Sequence, residues 1–410
     1  MKNFYEVIYK NNKENEKNRK ENNPIDDSLT KIKDMNVESY LQAIYNKADE
    51  YYDNRLADKD STDEYYGGFY RGLLGAVDQK LKEADRDRWI ALKKKLEDAD
   101  KNGMEEAEKT RLKNEEKEKQ RAEKNREEKL ALLVKGNICL RMGQYQSGGF
   151  KDAEESYRRA AKYLELGYKR RSGEKGALDQ TDLLIALNLG KYFRNAGKSG
   201  HKTYFEKAVK MFAEIKGEIE RKWKEGKKNP WEVHLWFDVI VNLGRVHEKL
   251  YYDESDADKR DNIAEPDIQD LPKDPLIYYS TIAALASPFM VEKDADIYNK
   301  EIKRKAGFSE NDKSRIWNKD IKPLVLNDIK DIPLRDYFIQ ALVCTCITLR
   351  KRREYELVIE LCESVLKIDK NNIDINNNKA VCYRKWGQNA EALELVKNYK
   401  TGNRFAEINY

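Results

Sequence analysis

The sequence predicts an all-α chain: a right-handed solenoid of about five helix pairs, preceded by an N-terminal helical extension and one long charged helix. Three observations carry that expectation. Gly136, Gly190 and Gly244 stand at equal intervals (190 − 136 = 244 − 190 = 54), the last two inside the near-copies "ALNLGKYF" and "IVNLGRVH". A shorter period closes the chain: Cys346, Val358, Cys362 and Val365 reappear as Ala380, Ala392, Val396 and Tyr399 (380 − 346 = 34). Only 8 of the 410 residues are proline, which leaves long helices unbroken.

Composition narrows the class. Charged residues make up 37 % of the chain, yet the net charge is only +5, so both signs are interspersed. That is unlike the broad basic field of a nucleic-acid binder. No apolar run reaches the roughly 18 residues needed to cross a membrane. The N-terminus has no apolar core followed by a small-residue cleavage site, so a cytoplasmic location is expected. Cys139, Cys344, Cys346, Cys362 and Cys382 are odd in number and sit in apolar helical patterns, as reduced core thiols do. Cys344 and Cys346, two apart on a helix, face different sides and do not make a metal pair.

Taken in order, residues 1–27 are rich in Asn, Lys and Glu and read as a disordered tail. Residues 28–104 form an N-terminal helical region. There "NVESYLQAIYNKADEYYDNRL" sets Tyr40, Leu41, Ile44, Tyr45, Ala48, Tyr51 and Tyr52 at helical spacing. "STDEYYGGFYRGLLGAVDQKLKEA" supplies a second helix, with Ser61 or Thr62 as its N-cap. Between Lys113 and Lys129 the sole apolar residue is Ala122, so 105–129 reads as a charged connecting helix. Pairs such as Glu105 with Lys109 and Glu115 with Lys119 would stabilise it along its own length. Repeats one to three, with extended loops, occupy 130–290. An irregular insertion anchored by Trp317 follows at 291–334, repeats four and five at 335–400, and a tail at 401–410.

The units share a pattern. The first shows Gly136, then "GQY" (Gly143 to Tyr145), then Ala153, Tyr157 and Ala160; the second shows Gly190, Ala208 and Phe212; the fifth shows Ala380, Tyr383, Gly387 and Ala392. In this the chain resembles the tetratricopeptide repeat family. The resemblance implies units of two helices, A and B, with a small residue where they cross and a Gly-x-Tyr turn between them. A helix-interior glycine costs roughly 1 kcal/mol against alanine. At a crossing it lets two helices close to the near end of the roughly 8–10 Å packing range. The third unit departs from the pattern: its helix A, "WFDVIVNLGRVHEKLYY", is followed by a long polar segment before helix B, "PLIYYSTIAALAS".

The same resemblance places helix A on a concave groove that holds a segment of another protein. Counted from the crossing residue, positions −3, +1, +4 and +5 share one face. The expected partner-binding set is Asn137, Arg141, Asn188, Lys191, Arg194, Asn242, Arg245, Lys249, Arg350, Lys351, Arg384 and Lys385. Its basic character calls for an acidic or extended protein segment. The helix dipole also favours Lys and Arg in a last turn, independently of any partner. Asn188 and Asn242 stand at −2, and Asn137 at +1. Similar asparagines in chaperone-binding family members hold a peptide backbone, but Leu133 and Asp238 stand where that clamp needs basic residues.

Motifs for chemistry are missing. "NAGKSG" has Gly-Lys-Ser, but Tyr192 replaces the glycine a phosphate-binding loop needs, and a helix rather than a strand precedes it. His247 occupies a position the family gives to an aromatic and reads as core. No catalytic residue, cofactor or metal is expected. The function read from the sequence is a non-catalytic scaffold, adaptor or regulatory subunit. An RNA-binding solenoid, or a regulatory subunit of a separate effector enzyme, is the alternative.

Overall fold

The computed structural model describes residues 32, 35–55, 63–145, 150–170, 178–196, 202–227, 229–252, 271, 274–286 and 334–397. The expectations for 1–27, 291–333 and 401–410, and for Ser61, Thr62 and the Gly-Lys-Ser stretch, lie outside the described residues. Among the described residues there are twelve helices and no strand. The chain divides into two compact units, residues 1–192 and 193–410.

The first unit is built on three helices. α1 (Val37–Arg55) starts at Asn36, whose side chain accepts from the Ser39 amide at 2.9 Å. α2 (Asp63–Lys101) and α3 (Glu106–Tyr145) are each close to 60 Å long, at about 1.5 Å per residue. Gly103, at φ +69°, turns the chain between them. Ion pairs Asp85–Lys124 (2.9 Å), Lys95–Glu116 (2.6 Å) and Asp100–Lys109 (2.6 Å) advance on α2 as they retreat on α3, so the two run antiparallel. The charged stretch 105–129 is therefore no separate connector. It continues without a break into helix A of the first repeat, and much of its charge is matched across to α2. The apolar face of α1 (Leu41, Ile44, Ala48) packs with Tyr70, Leu73 and Val77 of α2 and Val134 and Ile138 of α3.

α4 (Phe150–Lys169) pairs with the end of α3. A Cβ on Gly136 would lie 2.5 Å from Leu164, which puts the helix crossing where the repeat pattern expects it. The "GQY" turn is not a turn: α3 runs through Tyr145. Gly143 instead makes a second close approach, 2.8 Å from the Tyr157 ring to an added Cβ. α5 (Gln180–Ala196) follows, with Ile185 against Gly167.

In the second unit α6 (Lys202–Lys224), α7 (Pro230–Tyr252), α8 (Pro275–Ala286), α9 (Leu334–Lys351), α10 (Tyr355–Ile368), α11 (Ile373–Lys385) and α12 (Asn389–Lys397) pack each on the next. α7 also touches α9, and α9 touches α11, so the A helices lie side by side. The core is aromatic at its head: Trp223 near Trp236 (6.4 Å), Trp236 on Phe237 (5.6 Å) and Phe237 stacked on Tyr337 (4.9 Å). Ala380 and Ala392 form the α11–α12 crossing.

Two A helices of this unit end alike. Gly387 (φ +80°) follows α11, with the Gln388 amide on the Tyr383 carbonyl at 2.9 Å. Arg353 (φ +64°) follows α9, with the Glu354 amide on the Leu349 carbonyl at 3.1 Å. A left-handed conformation costs a side chain roughly 1 kcal/mol that glycine avoids. Arg353→Gly is expected to raise stability by about 0.5–1 kcal/mol, read as a higher urea midpoint at constant m. A lower midpoint would place the Arg353 side chain among the stabilising contacts.

All five cysteines are buried and free. Cys346 and Cys362 bring their sulfurs to 3.8 Å across α9 and α10. Burial pushes the Cys139 and Cys382 thiols up to about 12, and Cys346 well up. Neutral, inaccessible thiols do not react. Folded protein is expected to leave all five silent to a thiol-titrating disulfide reagent, and denatured protein to give five equivalents. A fast-reacting thiol in native buffer would contradict the packing.

Candidate functional site

The twelve residues expected to bind a partner fall into two groups. In the first unit three of them are engaged by α1. Asp49 accepts on one oxygen from both the Asn137 amide (2.9 Å) and the Arg141 guanidinium (2.8 Å). One turn earlier, the Tyr45 hydroxyl accepts from Asn188 at 3.0 Å. The expectation of an exposed Asn137–Arg141–Asn188 surface is thereby corrected: the chain's own first helix covers it. The cause is α1's amphipathicity, since burying Leu41 and Ile44 brings Tyr45 and Asp49 onto these polar side chains. Lys191 is half-buried on α5.

In the second unit the stripe on α7 runs His234, Asp238, Asn242, Arg245, Lys249, spaced for one helical face. Asn242 is buried, and both ends of its amide are used. Its nitrogen donates to the Asp238 carbonyl (2.7 Å) and carboxylate (2.8 Å), and its oxygen accepts from Arg194. Asn378, at the same −2 place in the fifth repeat, likewise donates to a carbonyl one turn back, that of Asp374, at 2.8 Å. These asparagines tie helix A to itself and to its neighbour; none of the three expected to hold a peptide backbone has a spare amide N–H direction pointed by a partner-free contact.

Of the remaining bases, Lys351 is ion-paired with Glu248 at 2.8 Å, both nearly buried, and Tyr279 donates to the same carboxylate at 3.4 Å. Arg194 donates to the oxygens of Asn195 (3.1 Å) and Asn242. Burial, reinforced by the nearby Arg245 charge, pushes Arg194 down to about 10. Arg245 and Arg350 are half-buried on α7 and α9, and Arg384 and Lys385 are exposed at the end of α11. Among the described residues, none of Arg194, Arg245, Arg350, Arg384 and Lys385 forms an ion pair. Lys249 is half-buried on the same stripe.

Sequence reasoning missed Tyr45 and Asp49, whose role depends on where α1 lands. It also missed Tyr337, which bonds His234 (3.2 Å to Nδ1, 3.3 Å to the carbonyl) and stacks on Phe237. His247 is core, stacked on Tyr278 at 5.3 Å, and burial pushes it down to about 4.

Against known families, residues 361–394 match the model described as tetratricopeptide repeat. That segment is the end of α10, all of α11 and most of α12. No curated protein and no solved structure matches the chain.

Proposed function

This chain carries a tetratricopeptide repeat, and from that premise we propose that it is a non-catalytic scaffold, adaptor or regulatory subunit that holds an acidic partner segment on the A-helix face of its second unit. Repeats of this family are in general protein–protein interaction modules, typically without catalytic activity. Among the described residues no helix is long and apolar enough to cross a membrane.

One observation supports this reading above the rest. On the α2–α3 hairpin bases such as Lys95, Lys109 and Lys124 have carboxylate partners, whereas Arg194, Arg245, Arg350, Arg384 and Lys385 have none among the described residues. A half-buried guanidinium without a counter-charge keeps its desolvation penalty until an anion arrives. The closed A-face of the first unit leaves the second unit as the place for a partner.

Placing a photo-crosslinking residue at Lys385, on the A-face side, or at Lys210, exposed on α6, separates this face from the rest of the surface. The expected result is a discrete adduct from position 385, lost on Arg350→Glu with Arg384→Glu, and none from 210. Equal capture from both positions, or an adduct indifferent to the charge reversal, would refute the proposal. An adduct that proves to be nucleic acid would favour the solenoid that binds RNA.

A further inference from the structure

We infer that Arg194 and Arg245, with the Asn242 amide between them, form the seat for a single carboxylate presented by a helical segment of a partner protein. This rests on the reading above and names the group that the second unit's A-face takes.

The two guanidiniums converge. Both sense the same three side chains, Asp238, Tyr279 and Cys344, and Arg194 senses Arg245 directly. Each is half-buried, so each remains reachable from solvent. Their surroundings do not neutralise them. Cys344 contacts Arg245, but burial pushes its thiol up, so it is uncharged at neutral pH. Tyr279 is raised well above the ordinary phenol by burial and is equally neutral. Glu248 is held by Lys351 at 2.8 Å. Asp374 on α11 feels Arg245, yet burial outweighs that pull and its carboxyl is raised, so it is not the ion-pair partner. That leaves Asp238, which is occupied with Asn242 at 2.8 Å, against two positive charges. The cluster is short of one negative charge.

The first unit supplies the precedent for what fills such a place. There an amide and a guanidinium on an A-face, Asn137 and Arg141, converge on one carboxylate oxygen, that of Asp49, at 2.9 and 2.8 Å. The carboxylate comes from a helix laid on that face, anchored one turn earlier by Tyr45. Asn242 with Arg194 and Arg245 repeats the amide-and-guanidinium chemistry without the acid. Asp238 selects the valence: beside a resident carboxylate, a monoanion is favoured over a phosphate dianion.

The probe is a fluorescein-labelled peptide with the Val37–Arg55 sequence, an acidic helix of known A-face chemistry, used beside its Asp49→Asn counterpart on the full chain. Polarisation is expected to show the aspartate peptide binding about tenfold tighter, as suits a charge-assisted contact. Arg245→Gln should erase that preference, Arg245→Lys should restore part of it, and Arg384→Gln should change both affinities less than twofold. Equal binding of the two peptides to the unaltered chain, which needs no protein variant, would overturn the inference. So would a preference that follows Arg141→Gln instead of Arg245→Gln, or displacement by inorganic phosphate as effective as by unlabelled peptide. If position 385 still captures its partner while the peptides fail to discriminate, the partner face stands and the carboxylate seat falls.

Discussion

Lys129→Met is expected to destabilise the first unit by about 3–5 kcal/mol, because it strands a buried acid. The Lys129 ammonium lies 2.9 Å from Asp182 and 2.6 Å from Asp179; the side chains of Lys129 and Asp182 are 8 % and 2 % exposed. Asp179 and Asp182 also cap the start of α5 reciprocally, the Asp182 amide donating to the Asp179 side chain at 2.8 Å. Removing the cation leaves two neighbouring carboxylates, one of them out of water. The pH dependence follows with a definite sign. Burial acts to raise Asp179, but the Lys129 ammonium and the Asp182 amide outweigh it and hold its carboxyl below the usual value. Burial acts to lower Lys129, but its two aspartates outweigh that and raise it. An acid depressed on folding contributes above its unfolded value, and a base raised on folding contributes below its own. The deficit of Lys129→Met should therefore be full between about pH 4 and pH 10 and shrink outside that window. Adding Asp182→Ala should recover part of the loss, as a double-mutant cycle by urea denaturation would show. Additive losses would mean the three groups are not coupled.

Gly244→Ala should lower stability even though alanine is the better helix former. Its Cβ would stand 2.6 Å from Tyr279 Cε1, 2.9 Å from Cζ and 3.2 Å from Tyr278 Cβ. The Tyr279 ring cannot swing away: it is fully buried, and its hydroxyl is bonded to Glu248 at the far end. Overpacking of this kind costs about 1–3 kcal/mol, against a propensity gain of about 1 kcal/mol. Gly217 in α6 is the control, since nothing lies within 4 Å of an added Cβ there. Gly217→Ala should gain about 0.5–1 kcal/mol from propensity alone. Calorimetry that ranked both variants above the unaltered protein would remove the close crossing at Gly244 as a cause of the glycine.

These two sites show how far the sequence carries. Gly136 and Gly244 are legible in the chain because a fixed interval and an unfavourable residue coincide, and both prove to sit at helix crossings. The helices of the second unit are equally legible, since apolar periodicity is a local property. The GQY stretch misleads because a Gly-x-Tyr looks the same in a turn as at a close approach, and only Tyr157 packed on Gly143 tells them apart. The 105–129 stretch misleads for a related reason. Glu and Lys three or four apart suit pairing within one helix, yet Lys95–Glu116 and Asp100–Lys109 join two.

The sequence by itself determined that this chain is helical, where its A and B helices cross and that its cysteines are core thiols, since those follow from spacing and side-chain size along short stretches. Only the tertiary structure decided which polar side chains remain for a partner. Arg141 and Arg245 are both bases on an A helix, but α1 lays Asp49 on the first from 92 residues away. A side chain's charge is written in its own residue; its counter-charge is placed by whatever distant helix the packing brings to it.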